Sequence, residues 1–205
     1  MVKLSICSLA IALLMVGAMS TAAPPKGSLK PVSAFSTISD ERARSEALFT
    51  EAAKVIQNPR CMNCHPVKRQ PTQGDDLHAH APLMFGGAGD HGVPGLPCKS
   101  CHGDANATTL ASTIQSIPGH PHWALAPVSM AWQGKSRHDI CLQIKDETRN
   151  GGRSLAKIHE HMATDSLVGW AWHPGEGRSP APGTQVQLGA LIEAWISTGA
   201  HCPSS

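Results

Sequence analysis

Two five-residue frames in this chain carry chemistry of their own: Cys61-Met62-Asn63-Cys64-His65 and Cys98-Lys99-Ser100-Cys101-His102. Cys-x-x-Cys-His is the pattern of covalent c-type haem attachment. Two thiols three residues apart can each add to one vinyl group of a single haem. The His that follows then lies beneath the iron and supplies a ring nitrogen. With 7 Cys and 12 His in 205 residues, the frame is expected ~0.014 times by chance. Two copies by coincidence come to roughly one in ten thousand, so the frames are read as functional. Cys61, Cys64, Cys98 and Cys101 are the candidate attachment points for two haem c groups. His65 and His102 are the candidate proximal iron ligands. Two other chemistries use Cys-x-x-Cys. A zinc ribbon puts two such pairs on one ion and needs no His after each pair. A redox-active thiol pair needs a βαβ setting, and no run of β-branched strands flanks either frame.

Each iron also requires a partner on its far side, where Met raises the potential relative to His. After the two proximal residues, ten His remain, together with Met62, Met84, Met130 and Met162 beyond the N-terminal segment. His80, in Asp76-Leu77-His78-Ala79-His80, is the candidate for the first haem. Met130, His122 and His161 are the candidates for the second. Helical periodicity by itself places His159 on the apolar face of its helix.

The N-terminal residues read as a separate unit. Lys3 supplies a positive start, residues 4–16 are almost wholly apolar, and small residues follow through Ala23. This is the layout of a cleaved secretory signal, assigned to residues 1–23. The apolar run is shorter than the roughly 20 residues a spanning helix needs, which disfavours the alternative of an uncleaved anchor, and no later stretch could cross a membrane. The expected location is the periplasm, the compartment in which haem is joined to such motifs. Cys7 leaves with the signal. Cys141 and Cys202 most simply pair in an oxidising compartment; the alternative is two buried free thiols. A bridge would tie the C-terminal helix to the middle of the chain.

The positioning elements follow from pattern. Residues 24–38 read as a flexible leader and 39–205 as one domain. A first helix is expected over residues 39–57, with Leu48, Ala52, Val55 and Ile56 on one face. A second starts at Ser136, capped with Asp139, and ends at Asn150-Gly151-Gly152. A third starts near Ser154. The last is capped by Thr184 with Gln187, buries Leu188, Leu191, Ile192 and Trp195, and closes at Gly199. Residues 66–97 and 116–134 read as loops. The fold class is mainly α with extensive coil. There is no Tyr, and only 3 Phe stand beside 5 Trp, so a large apolar cofactor could serve as part of the core. The net charge of +2 argues against nucleic acid as a partner, since neutralising phosphates takes a clustered basic face.

A helix leading into Cys-x-x-Cys-His, and a last helix ending Glu193-Ala194-Trp195-Ile196-Ser197-Thr198-Gly199-Ala200, resemble the first and last helices of c-type cytochromes. From about residue 55 onward the chain also resembles the small exported cytochromes known as isoquinoline oxidoreductase subunits. The segments that carry this resemblance are Pro118-Gly119-His120-Pro121-His122-Trp123, Ala126-Pro127-Val128-Ser129-Met130-Ala131-Trp132, Asn150-Gly151-Gly152-Arg153 and Glu160-His161-Met162-Ala163. The resemblance implies cytochrome c-like helices around two haems and favours His161 over His159 as a ligand. It implies an electron carrier, and so not itself an enzyme, serving a redox partner such as a molybdenum hydroxylase or a respiratory-chain component. Cys61 and Cys98 are only 37 residues apart, which leaves little room for two separate cytochrome domains; the haems are expected to share one fold and lie close together. The competing reading is a haem enzyme, peroxidase-like or oxidising sulfur compounds, with one open iron site. The loop bearing Asp75, Asp76, His78 and His80 could supply its acid–base groups.

Overall fold

The computed structural model describes residues 27–110 and 115–205. The expected signal segment, residues 1–23, lies outside them. Helix α1, Glu41–Ile56, starts where the Asp40 carboxylate accepts the Ala43 N–H at 2.7 Å, satisfying one of the donors a helix start leaves open. Asn58 ends the run and caps a short second helix, α2 (Pro59–Met62), by accepting from the Arg60 N–H. Pro59 fits there because a helix's first turn needs no N–H from it. The first Cys-x-x-Cys-His frame thus begins inside a helix set almost end to end with α1.

Four later helices begin at the caps their sequences encode. Ser136 and Asp139 form a reciprocal capping box for α3, Arg137–Lys145. Ser154 caps α4, Leu155–Thr164, and Asp165 caps the short α5, Ser166–Gly169. Thr184 caps α6, Gln185–Ser197. Helix α3 stops at Lys145 instead of reaching Asn150. The Asp146 side chain accepts from both the N–H and the hydroxyl of Thr148, a local bond that competes with helix continuation. Asn150 then closes the turn by donating to the Ile144 carbonyl at 2.8 Å.

Helices α1 and α4 both pack on α6. Leu48, Phe49, Val55 and Ile56 of α1 meet Leu188, Leu191, Ile192 and Trp195 of α6 in one core that also takes Ile140 and Ile144 of α3 and Ile158 and Met162 of α4. The Phe49 and Trp195 rings stand 5.0 Å apart. Buried Ser45 pins this crossing, donating to the Trp195 carbonyl at 3.2 Å and accepting the His201 N–H at 2.9 Å. Ser45→Ala would leave that half-buried N–H without its partner. It is expected to cost about 1–3 kcal/mol, measured by urea unfolding; a change under about 0.5 kcal/mol would show that the hydroxyl has no such role.

The segment read as a flexible leader is packed over its described part. Val32–Phe35 forms a 3-10 turn, Leu29 and Phe35 are buried in the core, and the Lys30 N–H donates to Glu51. Its composition suggested a linker, but two apolar side chains suffice to dock it. Among the described residues the coil contains three antiparallel strand pairs: β1 (Thr72–Gln73) with β2 (His78–Ala79), β3 (Gly92–Val93) with β4 (Leu96–Pro97), and β5 (Ala107–Thr108) with β6 (Ser116–Ile117). The molecule is therefore mainly helical, with little strand and extensive coil. Cys141 and Cys202 form a disulfide with Cα atoms 5.6 Å apart. Among the described residues, no helix is long and apolar enough to cross a membrane.

Candidate cofactor site

The two frames fold into the same turn. In the first, Cys64 N–H and His65 N–H both donate to the Cys61 carbonyl, at 3.1 and 3.2 Å. In the second, Cys101 N–H and His102 N–H both donate to the Cys98 carbonyl, at 3.2 and 3.0 Å. One turn begins in α2 and the other in the 3-10 stretch Cys98–Ser100, so different surroundings produce one local geometry. A helical turn sets residues three and four apart on one face, which gathers two thiols and an imidazole on one side.

Each imidazole is fixed in the same way. His65 Nδ1 lies 2.7 Å from the Met130 carbonyl, and His102 Nδ1 lies 2.7 Å from the Pro118 carbonyl. A carbonyl only accepts, so Nδ1 carries the hydrogen and Nε2 keeps its lone pair. This is the arrangement in which imidazole binds a metal, its orientation and basicity set by the outer hydrogen bond. Each ring also lies against a tryptophan: Trp132 stacks on His65 at 3.5 Å and 6°, and Trp123 stacks on His102 at 4.8 Å and 17°. Burial pushes the His65 imidazole down to about 4 and lowers His102 as well, which favours the neutral, ligating form. Burial likewise pushes the Cys61 thiol up to about 12 and the Cys64 thiol up to about 11.

The residues expected as distal ligands fall out differently from their expected order. His80, assigned by sequence to the first motif, stands beside the second, with its ring 5.9 Å from that of His102. Met130 lies at the first motif, where its backbone carbonyl serves His65. His122 is exposed, and its ring packs near that of His120. His161, on α4, stands within electrostatic reach of His65; its Nδ1 is 3.0 Å from the Asp165 carboxylate.

A cavity of about 540 Å³ opens between the motifs, lined by Cys98, Cys101, His102 and His80 and reaching Cys64 and Arg60. Its size falls within the roughly 300–1,000 Å³ of cofactor sites. Arg60 tests whether a haem suits it. Its side chain is 1% exposed and pairs through Nη2 with Asp75 and with the Gly74 carbonyl, while Nε and Nη1 are buried without a partner. A buried guanidinium with two unused donors matches a carboxylate, and haem carries two propionates. Arg178 lines the same cavity. The residues present therefore fit the group. By contrast, no set of three or more His, Cys, Asp or Glu side chains among the described residues is close enough to hold a bare metal ion, so the four-thiol convergence of a zinc ribbon is not formed there.

Sequence reasoning did not single out Arg60, although it directly precedes Cys61. Nor did it single out the stacking of Trp132 on His65 and of Trp123 on His102. No family model matches the chain, and no curated protein or solved structure matches it either.

Proposed function

We propose that this protein is a periplasmic di-haem c-type cytochrome that carries electrons, similar to the cytochrome subunits named above. The observation that carries the reading is the repeated turn: two Cys-x-x-Cys-His frames, each with its imidazole bonded through Nδ1 to a carbonyl and stacked on a tryptophan. When bound, haem iron supplies reversible one-electron exchange between ferric and ferrous states. Cys61 and Cys64 hold one group and Cys98 and Cys101 the other. His65 and His102 present Nε2 to the irons. Trp132 and Trp123 hold those rings against rotation. Arg60 offsets propionate charge. His161 is the candidate facing ligand for His65. That Cys64 and the second motif line one cavity supports the expectation that the two cofactors lie close together, which would suit transfer between them. The partner is a redox protein, such as a molybdenum hydroxylase or respiratory-chain component.

The test is the electron paramagnetic resonance spectrum of the oxidised protein, produced with a c-type haem maturation system. Two low-spin signals are expected, with exchange of electrons to a redox partner and no turnover of peroxide or sulfur compounds. A dominant high-spin signal would instead favour the enzyme reading, because an open iron site is what such chemistry needs.

A further inference from the structure

We propose that His80 and His102 are the two axial ligands of one iron, so that the haem of the second motif is held by two histidines. The assignment rests on the second motif binding haem. Imidazole nitrogen binds a transition metal at about 2 Å. Allowing roughly 1 Å from nitrogen to ring centre, two rings on opposite sides of one metal have centres about 6 Å apart. The His80 and His102 centres are 5.9 Å apart and the rings are tilted by 59°, so they are not stacked on each other.

The hydrogen bonds agree. His80 Nδ1 donates to the Pro82 carbonyl at 2.8 Å, as His102 Nδ1 does to Pro118. Among the described residues neither Nε2 makes a hydrogen bond, so both lone pairs are available for metal. Both residues line the cavity that holds Cys98 and Cys101. The other candidates stand elsewhere: Met130 sits at His65, His161 Nδ1 is engaged by Asp165, and His122 is exposed with its ring near that of His120.

His80 is also held in place. It follows β2, and its N–H donates to the Pro71 carbonyl. The β1–β2 turn is fixed from the other motif: Arg60 Nη2 and Asn63 Nδ2 donate to the Gly74 carbonyl at 2.9 and 3.0 Å. Gly74 has φ +77°, and a Cβ there would come within 2.6 Å of Asp76 and 2.7 Å of His78. The hairpin is anchored to the helix of one motif and delivers a ligand to the other.

The experiment uses the haem-loaded full chain. His80→Ala is expected to keep two covalent haems, convert one low-spin signal to high-spin, and recover low spin on adding imidazole. His80→Met is expected to stay low-spin with that haem's potential raised. In a Cys98→Ser/Cys101→Ser background, which retains only the first haem, His80→Ala is expected to change nothing. Two unaltered low-spin signals in His80→Ala would overturn the proposal. So would a spectral change in the one-haem background, because it would return His80 to the first haem. Failure of the wild-type chain to take up haem is a separate result, and it would overturn the functional reading itself.

Discussion

Changing Cys98 and Cys101 together to serine is expected to lower covalent haem from two groups per chain to one. Serine keeps the size and the turn but cannot form a thioether. His102 and His80 remain, yet axial bonds without a thioether do not retain haem through denaturation. The first group should stay, because its site is built separately. Cys61 lies in α2, the Ala126 N–H donates to the Cys64 carbonyl, and the Trp132 N–H donates to the His65 carbonyl. Intact mass under denaturing conditions and the reduced pyridine haemochrome spectrum both count the groups. Two haems in this variant would refute attachment at the second motif. Loss of both would show that the first site depends on the second.

The second large effect concerns stability. Replacing Cys141 and Cys202 by alanine is expected to destabilise the protein by about 4 kcal/mol, the chain-entropy estimate for a loop of this size. The bridge joins residues 61 apart in sequence and sits where α3 meets the end of the chain. Cys141 is wholly buried beside Ile140 and Ile144, the Lys145 ammonium donates to the Ala200 carbonyl, and His138 Nδ1 donates to the Pro203 carbonyl. Those two bonds lie on either side of the bridge in sequence, so releasing it should loosen the C-terminal segment first. Urea unfolding of the variant measures the loss. A value under about 1 kcal/mol would mean that the surrounding contacts hold the segment without the bridge, since native disulfides commonly contribute 2–5 kcal/mol.

What the sequence disclosed depended on range. Helix starts were legible because a cap and its partner lie within three residues, as with Ser136 and Asp139 or Thr184 and Gln187. Both Cys-x-x-Cys-His turns were legible for the same reason. The stop of α3 was missed because Asp146 competes for the backbone through Thr148, while the Asn-Gly-Gly that follows reads as the stronger punctuation. The placement of His80 was beyond reach from pattern. It lies between the motifs in sequence, and its hairpin is held by bonds from residues outside it, among them Arg60 and Asn63 to Gly74 and Gln133 to Thr72. Trp132 and Met130 reach His65 across more than 60 residues, a separation that no periodicity records.

The disulfide has a consequence for how the chain sorts its sulfur atoms. Six cysteines lie within the described residues, and six can pair in 15 ways. On the proposed function, four of them must remain thiols until haem arrives, in a compartment that drives thiols to oxidise. Joining Cys141 to Cys202 removes two competitors and leaves three possible pairings among the rest. A stray link from Cys202 to a motif thiol would block a haem outright, so the bridge protects the cofactor sites from the chain's own chemistry as well as fastening its end.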